Sequence, residues 1–460
     1  FWLRRTFRLP KYDENKRVWL KLGCILPAGE VYLNGSFLGY TQSSRTPQRI
    51  DITRLASPGA ENLLAIKVCD FPKMRLDGIW EMAEFAKNWT GLYGPTSCEI
   101  TDRVSIVDVY IEPKLATGSI RVEMELSEPP SKPLMLTLQV VDDGHRIGQT
   151  SQLIPAGEHR VQAEVKLDHL TAWSPNHPKL YALRLSLLAK GSQRAKDRLE
   201  IRFGIREVSA KGPKILLNGK PIYLCCYGDG QYYPKTLAPP ADKSWYLPRL
   251  KQAKEYGMNA VKSCVEILPE AYLEAADEAG IMVIQEMPFG LSELRDNRHT
   301  IDAQFREYYT KELRGLVKVS RNHASVIAYS MSSELDFGRQ TTESFRFFSG
   351  DLVRETRKLA PHALVIDCTG YVGALEQTSK GVRDTDLYVI IIPTWMKEVL
   401  DEPEIKTDHQ HPVILHEYNW WSCYPDPADR EKYAYTQVKP FWLDTLLKSA
   451  RANGQEELIP

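Results

Sequence analysis

No excess of either charge marks this chain: its 460 residues carry 59 Lys plus Arg against 59 Asp plus Glu, a formal net charge of zero. Without a basic stripe there is no electrostatic footprint for a polyanion, so a nucleic-acid partner is not expected. No uninterrupted apolar run approaches the roughly 20 residues of a membrane-spanning helix, so no membrane partner is expected either. The eight cysteines (Cys24, Cys69, Cys98, Cys225, Cys226, Cys264, Cys368 and Cys423) are scattered, with no CxxC pair and no His at zinc-finger spacing. That disfavours a structural zinc site and predicts mostly buried free thiols, because Cys behaves as a small hydrophobe. Cys225 and Cys226 are neighbours and on a strand would point to opposite faces, which suits a packed barrel. The chain opens Phe1-Trp2-Leu3-Arg4-Arg5, with no initiator Met and no leader pattern. A removed leader or a fragment is the expectation, and the compartment is left open.

What is present is ordinary globular composition, 43% hydrophobic and 26% charged, in a chain long enough for about three domains. Residues 1–101 carry short β-prone runs punctuated by turns, with Asn34-Gly35 supplying the positive-φ pair of a type I′ hairpin. Residues 102–207 repeat the pattern, with period-2 runs at 120–126, 134–141, 160–167 and 180–189, which suits a β-sandwich. After Gly204 the rhythm changes. Seven short apolar runs, at 222–227, 260–265, 281–285, 326–329, 363–367, 387–392 and 413–415, alternate with longer helical patterns. Near-continuous apolar strands joined by helices predict a parallel sheet covered on both faces, as a β/α barrel or a doubly wound sheet. An eighth strand and helix are missing from a barrel reading, so truncation at the C-terminus, and at the N-terminus too, is expected.

In a β/α barrel the chemistry sits where the strands end. The residues following the runs are acidic: Asp229, Glu266, Glu286, Glu334, and Glu417 after His416. Any one alone reads first as a solvated loop carboxylate or a salt-bridge partner. Two facing carboxylates, however, are the minimum equipment for cleaving a glycosidic bond, and strands four and seven would place Glu334 across from Glu417. Trp395, Tyr418, Trp420 and Trp421 add flat apolar surface for sugar C–H faces, or else pack the barrel rim. His323 and His416 read as structural neighbours of the site. Asn34-Gly35-Ser36 and Asn88-Trp89-Thr90 fit a glycosylation triplet that arises often by chance, and Asn34 is better used in its turn.

At these residues the chain resembles glycoside hydrolase family 2. Arg321-Asn322-His323-Ala324-Ser325-Val326-Ile327-Ala328-Tyr329-Ser330-Met331-Ser332-Ser333-Glu334 is similar to the family's acid/base signature, and His411-Pro412-Val413-Ile414-Leu415-His416-Glu417-Tyr418 to its nucleophile strand. Val31-Tyr32-Leu33-Asn34-Gly35, Asp51-Ile52-Thr53 and Gly91-Leu92-Tyr93-Gly94-Pro95 resemble the family's N-terminal sugar-binding domain. Phe203-Gly204-Ile205-Arg206, Leu217-Asn218-Gly219-Lys220-Pro221-Ile222 and Ala276-Asp277-Glu278-Ala279-Gly280-Ile281 resemble the approach to its barrel. The resemblance implies a jelly-roll-like β-sandwich over 1–101, an immunoglobulin-like β-sandwich over 102–207 and an incomplete α/β TIM barrel over 208–460. It further implies Glu334 as general acid/base, Glu417 as nucleophile, and retention at a β-linked sugar. Such a pair needs a carboxylate separation of about 5–5.5 Å.

Three departures from the family pattern stand out. Ser333 replaces the Asn that precedes the acid/base, Lys262-Ser263-Cys264-Val265-Glu266 replaces Arg-x-x-His after the second strand, and the eighth-strand region is missing. The mouth shows no clear Arg or Lys pair for a sugar carboxylate, so the expected substrate is a terminal neutral β-hexoside such as a galactoside, glucoside or mannoside. A β-glucuronide is the alternative within the family, and a non-catalytic carbohydrate-binding protein on a degenerate scaffold is the alternative outside it. Asp229, Glu266, Glu286, Ser333, Trp395, Tyr418, Trp420 and Trp421 are the expected substrate-binding residues. No cofactor is expected; some relatives use Mg or Na near the acid/base, but no local ligand cluster is present here. Self-association is left open.

Overall fold

The computed structural model describes residues 1–44, 46–69, 90–192, 194–231, 233, 235–288, 301–335, 341–370, 377–378, 381–391, 411–416, 441–452 and 454. Two sheets make the first unit. One orders Trp2–Arg8, Glu61–Cys69, Cys24–Leu33 and Ser36–Ser44, with Gly91–Tyr93 also paired to Cys24–Leu33; the other orders Gln48–Asp51, Lys16–Leu22 and Ser97–Asp102. Strict alternation along Glu61–Cys69 sends Leu64, Ile66 and Val68 inward to meet Val18, Leu20, Val31 and Leu33. Asn34 and Gly35 take φ of 51° and 82°, the left-handed pair that the hairpin requires. The Asn34 amide also donates to the Leu55 carbonyl at 2.9 Å and accepts from the Leu63 N–H at 2.9 Å, so this side chain is committed to the turn.

The second unit packs a three-stranded sheet (Arg160–Lys166, Ser119–Leu126, Ile106–Lys114) on a four-stranded one (His145–Ile154, Leu134–Asp142, Tyr181–Ala189, Ala195–Phe203). All four period-2 runs expected from the sequence are strands. Ile120, Val122 and Met124 from one sheet share a core with Leu136, Leu138, Val140, Leu183 and Leu185 from the other.

In the third unit five parallel strands lie side by side in sequence order: Cys226–Asp229, Ala260–Ser263, Met282–Glu286, Val326–Ser330 and Leu364–Ile366. A parallel pair, Tyr388–Ile391 and Val413–His416, supplies the sixth and seventh strands, and the Asp386 N–H donates to the Val365 carbonyl at 2.8 Å where the sixth approaches the fifth. The third and fourth strands are buried at every position, as a parallel sheet covered by helices demands. Leu247–Glu255, Glu270–Ala279, Ala303–Ser320 and Leu352–Leu359 are connecting helices, and their apolar faces join one core with the strands.

Two expectations are corrected. The apolar run at 222–227 is not one strand: Lys220–Ile222 closes an antiparallel hairpin with Val208–Lys211 and Lys214–Leu217, and the first barrel strand starts at Cys226. The cause is a second Asn-Gly turn, Asn218-Gly219 at φ 53° and 75°, after which Asn259 caps the break by accepting from the Cys225 N–H and donating to the Tyr223 carbonyl. The seven described cysteines are all free, but only Cys24 and Cys368 are fully buried, and Cys225 is exposed because it precedes the strand.

At the N-terminal end of the fourth strand the signature residues serve as a mechanical joint. Arg206 donates to the Ala324 carbonyl at 2.9 Å, to the His362 carbonyl at 3.2 Å and to the Val326 carbonyl. Asn322 pairs with the second sandwich as if it were a strand, accepting from the Ile111 N–H at 3.0 Å and donating to the Val109 carbonyl at 2.8 Å. Arg321 meets Asp108 at 2.6 Å. His323 lies 2.7 Å from one oxygen of Asp277, whose other oxygen accepts from the Ser325 N–H at 2.7 Å, so His323 is structural. Among the described residues no helix is long and apolar enough to cross a membrane.

Gly204 sits in this joint, and a Cβ there would lie 2.5 Å from the Ala324 Cβ and 3.1 Å from the Trp173 Cβ. Gly204→Ala is therefore expected to lower stability by about 1–3 kcal/mol, the usual cost of overpacking, read as a shift in the urea midpoint.

Candidate active site

Of the expected acidic residues, Asp229, Glu266, Glu286 and Glu334 are described and lie at or just past strand ends, each differently engaged. Asp229 closes the first strand; its carboxylate accepts from the Tyr272 hydroxyl at 2.9 Å and the Gln231 N–H at 2.8 Å and lies 3.6 Å from the Arg249 guanidinium. Glu266 lies buried in the loop after the second strand. Glu286 closes the third strand with 0% exposure. One of its oxygens accepts from the Val265 N–H at 2.7 Å, and Lys262 Nζ lies 3.1 and 3.0 Å from the two. The Thr369 hydroxyl also donates to it. Glu286 thus has no oxygen turned to solvent.

The fourth strand ends at Ser330, and the next four residues are clamped to the segment following the fifth. Ser332 Oγ donates to the Asp367 carbonyl at 2.8 Å, the Thr369 N–H donates to the Ser332 carbonyl at 3.0 Å, and the Glu334 N–H donates to the Thr369 carbonyl at 2.6 Å. Ser333 forms a parallel bridge with Thr369, their hydroxyl oxygens 3.3 Å apart. Glu334 itself takes φ of 53°, a left-handed conformation that a residue with a Cβ adopts only when its surroundings hold it there.

Gly370, also left-handed at φ 72°, makes the approach possible. A Cβ on it would lie 2.9 Å from Glu334 Cγ and 2.6 Å from His416 Nδ1. The end of the seventh strand and the Glu334 side chain therefore converge over one residue. Burial pushes the His416 imidazole down to about 2, with the positive charge of Lys262 acting in the same direction. Both effects favour its neutral form.

Three described cations near this rim are matched to acids. Besides Lys262 with Glu286 and Arg249 near Asp229, Arg383 forms a forked pair with Asp367 at 2.9 and 2.6 Å, both side chains wholly buried. Asp367 also accepts from Ser349 Oγ at 2.9 Å and the Cys368 N–H at 2.8 Å. Among the described residues no group of three or more His, Cys, Asp or Glu is arranged to hold a metal.

Glu417, Trp395, Tyr418, Trp420 and Trp421 lie outside the described residues. Sequence reasoning missed Lys262 as an ion-pair partner, and missed Thr369, Gly370 and the Asp367–Arg383 pair altogether. The rule that found the glutamates, collecting the residues just past each strand, applies equally after the fifth run; Thr369 and Gly370 escaped because only carboxylates were gathered.

Two β-sandwich units lead into parallel strands joined by helices, with carboxylates at the ends of several strands. Residues 104–206 match the profile described as Glycosyl hydrolases family 2 and residues 208–423 that of its TIM barrel domain; the chain belongs to this family. It is 23% identical over 337 residues to a beta-galactosidase from Thermoanaerobacter pseudethanolicus, covering 72% of this chain and 44% of that one. It is 25% identical over 361 residues to a beta-glucuronidase from Paenibacillus borealis, covering 72% and 58%. The chain thus spans about half the length of these curated relatives. Among solved structures, a family 2 member from Bacteroides cellulosilyticus superimposes with TM-score 0.73 at 20% identity, covering 94% of this chain and 56% of that one. A beta-D-glucuronidase from Dictyoglomus thermophilum gives 0.70 at 20%, covering 93% and 77%.

Two outcomes are expected. Gly370→Ala combines a left-handed backbone with a side-chain clash and should cost about 1–3 kcal/mol in denaturant unfolding. The second concerns acid. An unfolded His titrates near 6.5, so below that pH the unfolded chain takes up a proton that folded His416 refuses, and stability falls by about 1.4 kcal/mol per pH unit from this group. Urea melts between about pH 7 and about pH 5 should show this slope, and His416→Asn should flatten it.

Proposed function

We propose that this chain carries the catalytic pair of a retaining exo-β-glycosidase, with Glu334 as general acid/base and Glu417 as nucleophile. The observation that supports this most directly is the approach at Gly370: left-handed Glu334 and His416, the residue immediately before Glu417, both come close to the same bare α-carbon. In the first step Glu417 attacks the anomeric carbon of a terminal β-linked sugar while Glu334 gives its proton to the departing oxygen, leaving a glycosyl ester on Glu417. In the second, Glu334 takes a proton from water, the water oxygen attacks the same carbon, and the ester bond breaks with net retention. Proximity of two carboxyl groups suits both roles, since ionised Glu417 keeps the proton on Glu334 and esterification removes that charge.

A neutral β-hexoside fits the charge arrangement best. Lys262, Arg249 and Arg383 already face Glu286, Asp229 and Asp367, so a sugar carboxylate gains little from them. A β-glucuronide is the second reading, favoured by the relatives that carry that name. Ser333, tied towards Thr369, has the reach for a water-mediated contact to a sugar hydroxyl where the family pattern has an amide. Asp229 and Glu266 remain candidates for sugar contacts together with the aromatic residues Trp395, Tyr418, Trp420 and Trp421. Glu286, with both oxygens occupied, is reassigned from sugar binding to support.

Aryl β-galactoside, β-glucoside, β-mannoside and β-glucuronide offered to the full chain should separate the readings. One of them is expected to be hydrolysed, and Glu417→Ala should abolish that turnover. Glu334→Ala should lose about 10²–10⁴-fold on a poor leaving group, keep the first step on an activated one, and be rescued by azide. Sugar binding with no turnover of any member would instead favour a binding protein on a hydrolase scaffold.

A further inference from the structure

Lys262 and Glu286 form a deeply buried ion pair whose purpose the proposed chemistry does not explain. Their side chains are 9% and 0% exposed. Taking two charges out of water is unfavourable, and such a pair is a poor source of stability compared with apolar residues of the same size. Its value has to lie in geometry. The pair reaches further than its own strands: Lys262 belongs to the second strand and Glu286 to the third, yet both meet Thr369 beyond the fifth, Lys262 Nζ at 3.5 Å from Thr369 Oγ1. The second and fifth strands are not neighbours in the sheet, so the contact crosses the barrel.

We propose that Lys262, Glu286 and Thr369 form a positioning unit that holds the Glu334 carboxyl in place for proton transfer, a role that rests on the acid/base reading of Glu334. The links are continuous. Glu286 is immobilised by the Val265 N–H at 2.7 Å, by Ser263 Oγ accepting from its own N–H at 2.8 Å, and by the Lys262 ammonium across both oxygens. Its carboxylate accepts a charge-assisted hydrogen bond from the Thr369 hydroxyl, which selects one rotamer of a side chain already stiff at χ1. Thr369 then grips the chain around the acid/base, its N–H on the Ser332 carbonyl at 3.0 Å and its carbonyl on the Glu334 N–H at 2.6 Å. Because the left-handed backbone of Glu334 is disfavoured for a side chain, it depends on this grip. With 0% exposure, Glu286 acts through Thr369 and not on the sugar.

The test compares two aryl glycosides of the hydrolysed sugar, one whose leaving group needs protonation and one, a dinitrophenolate, that departs without it. Thr369→Val removes the hydroxyl at nearly constant shape, and the double variant Lys262→Met/Glu286→Gln removes both charges together, which avoids stranding one of them. In each, the loss of kcat on the demanding substrate should exceed the loss on the activated one by about tenfold, with KM within about twofold of wild type. Thr369→Ser, which keeps the hydroxyl, should retain the demanding reaction. Equal losses on both substrates, a rise in KM alone, or no loss would overturn the positioning role. Glu334→Ala measured in parallel separates this from failure of the underlying reading: if that variant lacks the leaving-group split and azide rescue, or if wild type hydrolyses no aryl glycoside, the acid/base assignment and the positioning unit both fall.

Discussion

At the end of the fourth strand the chain has to turn a carboxylate back over the neighbouring loop, and it does so through a backbone conformation that resists a side chain. Glu334 sits at φ 53° because three things coincide there: the Thr369 carbonyl receives its N–H, the Ser332 carbonyl receives that of Thr369, and Gly370 presents no side chain beneath it. Remove the vacancy at Gly370 and neither Glu334 nor His416 has room. Much of the mouth depends on this one crossing, since Asp367, with its buried Arg383, anchors the start of the same loop by accepting from Ser332 through its carbonyl.

The two ends of the barrel divide the work. At the N-terminal end the signature residues Arg206, Asp277, Arg321, Asn322 and His323 bond to backbone and to the second sandwich, so they fix how the domains meet. At the C-terminal end the side chains are charged, buried and arranged in pairs. Parallel strands impose this, because the loops that are free to vary lie where the strands finish while the opposite end is given to packing. A motif such as Arg321 to Glu334 therefore joins a structural clamp to a chemical group through one fully buried strand, with the intervening residues Val326–Ser330 setting the distance.

Local pattern carried most of the architecture. Period-2 alternation identified four of the seven strands of the second sandwich, and continuous apolar runs identified the second to seventh barrel strands, because burial on one face or two leaves a direct mark on composition. The misplacement of the first strand has a local cause as well: Asn218-Gly219 is as strong a turn signal as Asn34-Gly35, but the apolar residues after it masked the break. Glu334 was legible because a carboxylate at a strand end is conspicuous, and the family resemblance rested on the same residues.

What the sequence determined by itself was the change from sandwich to barrel rhythm, most of the strands and the described acidic residues at their ends, all of which depend on neighbours a few positions away. Only the tertiary structure decided which carboxylates were spent. Glu286 and Glu334 look alike as strand-end glutamates, yet one is neutralised by Lys262 and sealed by Thr369, while the other stands over Gly370. That distinction depends on contacts between residues 24 to 107 positions apart, and no periodicity or turn signal reports which distant cation a buried acid will meet.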